Sequence, residues 1–560
     1  MTPETQQAHI KRRQQRFRTA AINGQALKSL IVAGLTWLRT NQEIVNSLNV
    51  YPVPDGDTGI NMVLTMQAAY DEIAESPEHN FGKMIHMVAH GALMGARGNS
   101  GVILSQIWRG LARGSDEIQA LDGPSLAHAF CIARDTAYQG VVRPVEGTIL
   151  TVAKDIAEVA DAALAETQDP IEILERVVQE ADESVERTPD LLDVLKKAGV
   201  VDAGGKGLFF ILEGMLRYIN GQPLDTPTAS IQPLSKMTLD DTLEPIEEGQ
   251  DYEVVVDFRP HEPLNLQEFY SSLEEIGTSI QVGEGEGLYR MHIHVETDKR
   301  YEPIDYTMSI GTITKVHIEN LMEQMEAIER QTGGAPVNIL PIDAGQIAVI
   351  PVSPGKGISQ VFASLGVAGI VEGGQTMNPS TEDLLGAFED LPTDKVVLLP
   401  NNKNIIMAAN NAAELTVKKV AVIPSRTIPQ GLAAMFRLVP HGDLDSVAAD
   451  MISALEDVDT AEITTAIRSV EIDGVNVEEG ETIALFNGKL LVSAGSLEEA
   501  CNSLLNKLEL DNYELITLFH GEDVSNQVAN QITDEIRASH PQLEIELQDG
   551  GQPHYQFIIS

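Results

Sequence analysis

The feature that most constrains the fold is a change in the spacing of apolar residues along the chain. From about Gly24 to Asn220, apolar residues recur every three or four positions, as one face of an α-helix requires. Segments such as GQALKSLIVAGLTWLRTNQ, LAHAFCIARDTAYQG and EGTILTVAKDIAEVADAALAE show this spacing, and Gly and Pro clusters separate them. The pattern predicts an all-helical domain of roughly eight helices within residues 1–220.

The spacing becomes strand-like beyond a proline-containing segment at residues 221–250, which we interpret as a linker. Residues 251–334 combine strand-like runs with helical stretches, among them ITKVHIENLMEQMEAIERQ, and indicate a small α+β middle domain. In residues 335–560, short β-branched runs such as IAVIPV and KVVLLP alternate with helical stretches, which predicts a parallel sheet covered by helices. Asn487-Gly488 predicts a hairpin turn. The fold class is therefore multidomain: all-α, then α+β, then α/β.

The net charge of the chain restricts the classes of molecule that it is expected to bind. The 560 residues include 38 Lys and Arg and 83 Asp and Glu, a net charge of −45. Such a field repels nucleic acid and anionic lipid, so we expect neither as a partner. The two cysteines, Cys131 and Cys501, exclude a disulfide framework and fit a reducing compartment. Because no stretch reaches the roughly 18 to 20 apolar residues of a membrane span, we expect a cytoplasmic protein without an integral membrane segment.

The strongest chemical signal is NVYPVPDGDTGINM, which spans Asn49–Met62. Asp55 and Asp57 flank Gly56, whose conformational freedom lets two carboxylates in a turn converge on one point. Converging carboxylate oxygens suit a Mg²⁺ ion that also bridges to phosphates. An acidic turn that caps the following helix is an alternative of equal weight, because Asp-Gly-Asp-Thr is also good capping chemistry.

A glycine-rich segment, LMGARGNSGVILSQIWRG, forms the second signal. Gly98 and Gly101 let backbone N–H groups approach a phosphate, Ser100 is expected to cap the helix that follows, and the helix amino terminus adds a favourable dipole. Arg97 supplies a cation. Alone, this segment is better interpreted as an ordinary turn between helices. Together, an acidic metal turn and a phosphate-cradling turn predict a magnesium–nucleotide site.

These motifs resemble those of a known kinase family. DGDTGINM is similar to the metal motif of the nucleotide-binding DhaL-type subunit of dihydroxyacetone (glycerone) kinases, GNSG resembles its phosphate turn, and VEGTIL and VDAGGKG resemble its later loops around the nucleotide. The fold of that family is an eight-helix antiparallel barrel. Across the rest of the chain, GTITKVHIENLMEQ, EGGQTMNPSTEDLL, LPNNKNIIMAA, IPSRTIPQGLAAMF and QDGGQPHY resemble the DhaL-domain fusion protein that is the kinase component of fatty acid kinases.

The resemblance implies a kinase that transfers a phosphoryl group from ATP to the carboxylate of a fatty acid, which a separate carrier protein presents. It implies catalytic, magnesium-holding roles for Asp55 and Asp57. No covalent nucleophile is needed, because phosphoryl transfer depends mainly on positioning and charge neutralisation. Asn49 and Thr58 depart from the glycerone kinase pattern, which has a further acid and a histidine there. The nucleotide-binding residues that the resemblance implies are Asn49, Thr58, Gly59, Asn61, Gly98, Asn99, Ser100, Gly101, Thr148, Asp202, Ala203 and Gly204.

The middle domain carries a second candidate metal site. In LYRMHIHVET, His292 and His294 lie two residues apart on a predicted strand, so both imidazoles occupy one face. Two such imidazoles can bind Zn²⁺. Some relatives complete the site with a cysteine, whose position Glu253 takes here, and a carboxylate can also ligate zinc. Histidines that face solvent or substrate are the favoured alternative.

The C-terminal region resembles the DegV-like fold of the carrier itself, so we expect it to dock the carrier or to form a homodimer. Its polar turns EGGQTMNPS and LPNNKN follow strand-like runs, where open α/β sheets place binding sites, and turn or cap chemistry explains them equally well. Because the linker separates residues 1–220 from the rest, we expect this fragment to bind nucleotide by itself.

Three functions remain open at this point. The leading hypothesis is an ATP-dependent fatty acid kinase that acts with a lipid carrier. A glycerone or other small-polyol kinase comes second, although its usual substrate-capturing histidine cannot be identified in the sequence. A nucleotide-sensing regulatory scaffold comes third, and the paired carboxylates argue against it, since a non-catalytic module has no need of both.

Overall fold

The computed structural model describes residues 22–50, 56–141, 143–224, 232–233, 252–261, 264, 269, 272–273, 276–285, 288–297, 299–320, 339, 341–375, 377–466, 470–472, 475–478, 480–508, 510 and 513–560. The chain divides into two compact units, one within residues 1–226 and 337–560 and the other within 227–336. The region predicted as the helical domain and nearly all of that predicted as the C-terminal domain therefore belong to one compact unit, and the whole predicted middle domain lies within the other. The exact domain boundaries stay a prediction.

Ten helices occur in the described part of the first 224 residues, and eight of them have at least 14 residues. Most of the long ones begin at a side-chain cap, the capping residues being Asn23, Asn80, Asp122, Thr148, Asp169 and Asp202. No helix in the described chain is both long enough and apolar enough to span a bilayer. The ten helices are α1 (Gly24–Thr40), α2 (Gln42–Leu48), α3 (Thr58–Asp71), α4 (Phe81–Met94), α5 (Gly98–Arg113), α6 (Gly123–Gln139), α7 (Ile149–Ala163), α8 (Pro170–Leu191), α9 (Asp193–Ala198) and α10 (Ala203–Asn220).

The eight long helices close into a ring. Each packs against the next long helix in the chain, and α10 completes the ring by packing against both α8 and α1. The connections between successive helices are short, so neighbours run antiparallel. The interior is one apolar cluster that includes Trp37, Met62, Met66, Trp108 and Phe210. The eight-helix barrel expected from the sequence is confirmed.

The antiparallel order places the amino-terminal ends of alternate helices at the same end of the barrel. A Cβ atom added at Gly207 would lie 2.5 Å from the sulfur of Met62, so α10 begins beside α3. A Cβ atom added at Gly204 would lie 3.3 Å from Cβ of Ile149, so α10 also begins beside α7. The starts of α3, α7 and α10 therefore lie together, and α5 joins them as described below.

The middle unit contains a five-stranded sheet in the order β1-β3-β4-β2-β5. Residues 313–320, predicted as the start of a helix, belong to the edge strand 311–320, which pairs antiparallel with β2. Thr312, Ile313, Thr314 and Val316 are β-branched, and such side chains favour a pleated strand over a helix. The predicted α+β class is confirmed. The elements are β1 (Gln232–Pro233), β2 (Tyr252–Pro260), β3 (Thr278–Gly285), β4 (Leu288–Val295), α11 (Glu302–Ile310) and β5 (Gly311–Asn320).

The C-terminal region is an α/β structure with two larger sheets. The first, β7-β6-β8-β9, is parallel throughout, as predicted. The second, β14-β13-β10-β17-β15-β16, is mixed, and Asn487-Gly488 forms the predicted hairpin turn with positive φ at both residues. The elements are β6 (Ile347–Ser353), α12 (Lys356–Ser364), β7 (Val371–Glu372), α13 (Thr381–Glu389), β8 (Lys395–Leu399), α14 (Ile406–Glu414), β9 (Lys419–Val422), α15 (Ile428–Met435), α16 (Leu444–Ser453), β10 (Ala461–Thr465), β11 (Val470–Ile472), β12 (Val475–Val477), β13 (Thr482–Phe486), β14 (Lys489–Ala494), α17 (Leu497–Lys507), β15 (Leu515–His520), α18 (Asn526–Ser539), β16 (Glu544–Asp549) and β17 (Tyr555–Ile559).

The helical barrel and the parallel sheet share a hydrophobic contact inside the first compact unit. Ala96 and Val102, from the barrel, belong to the same buried cluster as Ile350, Leu398 and Ala408 of the C-terminal region. Helix α13 packs against α4, and α14 packs against α5. The sequence predicted a separable helical domain, whereas the structure buries barrel residues under the C-terminal region.

The contact between α10 and α1, which closes the barrel, depends on Gly214. A Cβ atom added at Gly214 would lie 2.6 Å from Cβ of Trp37 and 2.7 Å from the carbonyl oxygen of Ala33, both held by the facing helix. We expect Gly214→Ala to lower the free energy of unfolding by about 1–3 kcal/mol, although alanine favours a helix. The matched control is Gly386→Ala in α13, where an added Cβ meets nothing within 4 Å; it should stabilise by up to about 1 kcal/mol. Chemical denaturation measures both, and equal stabilisation would contradict the close packing.

Candidate functional site

Asp57 occupies the position directly before α3 and is 4% exposed. Its side chain makes no capping hydrogen bond to the helix. The capping role belongs to Asn46, whose Oδ1 accepts from the backbone N–H groups of Gly59 at 2.8 Å and Ile60 at 3.3 Å. The capping interpretation of the acidic turn is therefore wrong for Asp57, and its carboxylate can serve another purpose. Asp55, the other predicted metal ligand, lies outside the described residues.

Gly56 shapes the loop in front of Asp57. Its φ of +69° lies in the left-handed region that favours glycine. A Cβ atom added there would meet no atom of the described residues within 4 Å. The convergence of Asp55 and Asp57 around this glycine stays a prediction, because Asp55 lies outside the described residues.

The predicted phosphate turn lies directly against the metal loop. Helix α5 begins at Gly98, whose φ is +57°. A Cβ atom added to Gly98 would lie 2.7 Å from Nδ2 of Asn61, which is itself 4% exposed. Gly101 lies equally close to the Thr65 hydroxyl of α3. The first turns of α3 and α5 thus touch through glycine, as a site that combines the two motifs requires.

One expectation for this turn is wrong, and Arg97 has partners that the sequence did not predict. Ser100 does not cap α5, because it is the third residue of the helix and Arg97 occupies the cap position without a side-chain capping bond. Arg97 is also committed elsewhere: its Nη1 donates to the carbonyl oxygen of Asn378 at 2.9 Å, and its Nη2 lies 3.3 Å from Oδ2 of Asp383. Sequence periodicity shows neither the backbone angle at a helix start nor a partner far along the chain.

The remaining residues of the metal motif have packing roles. Asn49 follows α2 and is 4% exposed. Thr58 and Gly59 form the buried first turn of α3. A Cβ atom added to Gly59 would lie 2.5 Å from the carbonyl oxygen of Gln42, so this glycine lets α2 approach α3. A direct nucleotide contact of these three residues stays a prediction.

Thr148 and Asp202 act as helix caps. Thr148 caps α7, and its hydroxyl donates to the carbonyl oxygen of Val145 at 2.8 Å. Oδ2 of Asp202 accepts from the N–H of Gly205 at 2.7 Å, and the same carboxylate also receives the N–H of Ile149. One buried carboxylate therefore serves the starts of both α7 and α10. Burial raises its pKa to about 6, and the two backbone hydrogen bonds act in the opposite direction. Ala203 and Gly204 form the first turn of α10.

An acid in the loop before α7 was missed by the sequence reasoning. Glu146 accepts hydrogen bonds from Tyr138 at 3.0 Å, Thr151 at 2.8 Å and Lys154 at 2.8 Å. Burial acts to raise the pKa of Glu146, but the hydrogen bonds, led by that from Lys154, outweigh it and leave the pKa below its ordinary value. The sequence contained a signal just beyond VEGTIL, since Thr151 and Lys154 stand five and eight residues after this acid.

The polar turns of the C-terminal region reach the same end of the barrel. Nδ2 of Asn378, in EGGQTMNPS, donates to Oδ2 of Asp57 at 2.7 Å. Oδ1 of Asn404, in LPNNKN, accepts from Nδ2 of Asn99 at 2.9 Å. Ser380 forms a capping box with Asp383 at the start of α13, so the cap interpretation of the first turn is also correct.

These turns also line a cavity at the carboxyl ends of the parallel strands, as the sheet topology leads one to expect. Its lining includes Gln375, Asn402 and Arg426, together with Glu462 of the second sheet. Burial raises the pKa of Glu462 to about 7, while Lys403 and Tyr555 act in the opposite direction.

The histidines of the middle unit come together, but a metal site there is not supported. The His292 and His294 rings lie 4.9 Å apart. Burial, followed by the neighbouring His294, lowers the pKa of His292 to about 4, and burial lowers that of His294 as well. Glu253 stands opposite His294 in the strand register, although its side chain is not among those described. Within the described chain, no group of three metal-ligating side chains is found.

Comparison with known proteins decides the family. The DAK2 domain model matches residues 52–217, and the FakA-like models of a fatty acid kinase middle domain and C-terminal domain match residues 249–328 and 348–560. An uncharacterised protein of Staphylococcus aureus is 37% identical over 548 residues, which cover 96% of this chain and 99% of that protein. The chain belongs to the FakA-like fatty acid kinase family.

Other similar proteins include an uncharacterised protein of Staphylococcus epidermidis, which is 36% identical over 548 residues and covers 96% of this chain and 99% of that protein. Among solved structures, a DegV family protein from Corynebacterium glutamicum is 16% identical, covers 38% of this chain and 95% of its own, and gives a TM-score of 0.31. Membership of the FakA-like family confirms the resemblance inferred from the motifs and makes the protein a phosphotransferase.

The buried carboxylate of Asp202 yields a pH prediction. Because folding raises its pKa from 3.8 to about 6, the folded state binds this proton more tightly, and its contribution to stability falls as pH rises from 3.8 through 6. Asp202→Asn keeps a capping residue but cannot ionise. We expect the free energy of unfolding of the variant, relative to the unmodified protein, to improve by about 1 kcal/mol between pH 5 and 7.5. Denaturant titrations across this range measure it, and a pH-independent difference would show that Asp202 ionises normally.

Proposed function

We propose that the protein is an ATP-dependent kinase that phosphorylates the carboxylate of a fatty acid presented by a separate carrier protein, giving an acyl phosphate. The observation that carries the proposal is the buried carboxylate of Asp57, which caps no helix and lies beside the first turn of α5. Family membership supports the phosphotransferase class, and the family's description as one subunit of a kinase supports a protein partner. We also propose that it acts in the cytoplasm, as a homodimer.

The residues at this end of the barrel fit a magnesium–nucleotide complex. The Asp57 carboxylate is a hard anionic ligand directly before α3, and Asp55 is proposed as its companion. Mg²⁺ held there would neutralise phosphate charge during the transfer. No zinc is included in the proposal.

Helix α5 is suited to hold the phosphates. It is 16 residues long, and the side chain of its cap residue, Arg97, makes no capping hydrogen bond. Its first N–H groups and its dipole therefore favour an anion. Because residues 98 and 101 are glycines, this turn packs closely against α3. The proposed anion site therefore lies next to Asp57. We propose that the backbone of Gly98, Asn99, Ser100 and Gly101 binds the phosphates, with Asn61, Thr148 and Asp202 to Gly204 around the nucleotide.

The proposed reaction needs no general base. A fatty acid carboxyl group has a pKa of about 4–5 and is ionised at neutral pH, as other carboxyl groups are. One of its oxygens forms the new bond to the γ-phosphorus while the bond to the β,γ-bridging oxygen breaks and ADP leaves. The chain has to align the two reactants and compensate charge. A polyol kinase, in contrast, has to remove a hydroxyl proton.

The experiment that tests the function compares phosphoryl acceptors. Purified protein with Mg²⁺ and ATP is supplied with a fatty acid loaded on a DegV-type carrier, with the empty carrier, or with dihydroxyacetone. We expect acyl phosphate, trapped as its hydroxamate, with the loaded carrier alone. Turnover of dihydroxyacetone would instead favour the polyol kinase. Nucleotide binding without turnover of any acceptor would favour the regulatory scaffold.

Removing a magnesium ligand tests the assignment of the site. We expect Asp57→Ala and Asp55→Ala each to lower turnover by at least about 100-fold, because triphosphate charge is then left uncompensated. The control is Asp71→Ala at the far end of α3, which should leave the rate unchanged. Circular dichroism and thermal unfolding establish that the variants fold. Rates close to normal in either loop variant would remove the metal assignment.

A further inference from the structure

One amide of the C-terminal region enters the proposed magnesium site. Asn378, in the turn before α13, is 2% exposed, and its Nδ2 donates to Oδ2 of Asp57 at 2.7 Å. The same nitrogen would lie 3.6 Å from a Cβ atom added at Gly98. Asn378 therefore borders both the metal loop and the phosphate turn, although 321 residues separate it from Asp57 in the chain.

The other end of this amide has unused bonding capacity. Oδ1 of Asn378 is buried and accepts no hydrogen bond from the described residues. A buried acceptor without a donor is unfavourable, and native structures seldom keep one without a reason. Mg²⁺ held by one or two carboxylates retains several water ligands, which are hydrogen-bond donors. A hydrated magnesium ion beside Asp57 would bring the donor that Oδ1 lacks.

The backbone around Asn378 is held in place by the barrel. Arg97, directly before α5, donates to the Asn378 carbonyl oxygen and pairs with Asp383. The Ala96 carbonyl oxygen accepts from the N–H of Thr381 at 3.3 Å. These contacts fix the 378–383 segment to the residues that precede the phosphate turn. The position of the amide is therefore set by the structure and does not depend on the Asp57 hydrogen bond alone.

We propose that Asn378 is a positioning residue of the kinase site, which orients the Asp57 carboxylate toward magnesium, so that the C-terminal region completes a site built mainly by the barrel. This inference rests on the proposed function. A carboxylate ligand binds a metal best when a second hydrogen bond fixes its plane, and loss of such a partner typically costs about 10- to 100-fold in metal affinity or activity. Asn378 gives Asp57 that hydrogen bond through a neutral donor, which leaves the charge of the carboxylate available to the metal.

The test uses the full chain and the substitution Asn378→Ala. ATP binding is followed by calorimetry at increasing Mg²⁺, which gives the Mg²⁺ concentration for half-maximal binding. We expect this concentration to rise about 10- to 100-fold, while thermal unfolding without Mg²⁺ stays close to that of the unmodified protein. Asn378→Ser leaves a smaller cavity and places a hydroxyl that is too short to reach Asp57. We expect it to shift the Mg²⁺ concentration for half-maximal binding by the same factor. This variant replaces Asn378→Ala if the alanine variant does not fold.

The matched control is Asp383→Asn, which removes the ion pair with Arg97 but keeps the contact between Asn378 and Asp57. Because partly exposed ion pairs contribute little, we expect it to shift the Mg²⁺ dependence by less than about fivefold. Equal shifts in the Asn378 and Asp383 variants would mean that the turn acts only by docking the two regions, and would overturn the positioning role.

No shift in the Asn378 variants, with Mg²⁺ dependence lost in Asp57→Ala, would overturn this inference and leave the proposed function intact. If Asp57→Ala kept normal Mg²⁺ dependence, the proposed function itself would fail.

Discussion

The closure of eight helices into a ring is the constraint on which the rest of the structure depends. A closed antiparallel ring collects the amino-terminal ends of alternate helices at one end, with their unpaired N–H groups and the positive ends of their dipoles. These helix starts differ in whether a side chain caps them. Asp202 accepts hydrogen bonds from backbone N–H groups at the starts of α7 and α10, and Asn46 accepts one at the start of α3. At the start of α5 the cap residue, Arg97, makes no side-chain capping bond, so the dipole of this helix favours an anion beside Asp57.

The second constraint is the seam between the barrel and the parallel sheet. Its interior is apolar, with Ala96 and Val102 packed among aliphatic residues of the C-terminal region. Its border is polar, and the bonds there come from Arg97 and Asn99, which flank the start of α5. The seam therefore lies beside the site instead of on a remote face of the barrel. Forces that hold the two regions together act on the same turn that is proposed to bind phosphate.

The sequence was most informative about features that repeat along the chain. The three- and four-residue spacing predicted the long helices, β-branched runs predicted the parallel sheet, and Asn487-Gly488 predicted a hairpin, because each depends on local geometry. The sequence reasoning failed at residues 313–320, where β-branched side chains and pairing with β2 outweigh an apparent helical pattern. The cap assigned to Ser100 failed because one backbone angle decides where a helix begins. The partners of Asp57, Arg97 and Asn99 were not predictable, since no period in a single sequence encodes contacts across about 300 residues.

The order of the regions along the chain has a consequence for how the protein is made. Arg97 and its partner Asn378 are 281 residues apart, and the whole middle unit is encoded between them. At about 5 to 20 residues per second, the ribosome needs roughly 14 to 56 s to pass from one to the other. During that time the barrel can close, but the apolar surface around Ala96 and Val102 has nothing to cover it. Newly made chains thus pass through a stage in which this face is open to chaperones or to a neighbouring nascent chain, and the turn that is proposed to bind phosphate receives its C-terminal contacts last.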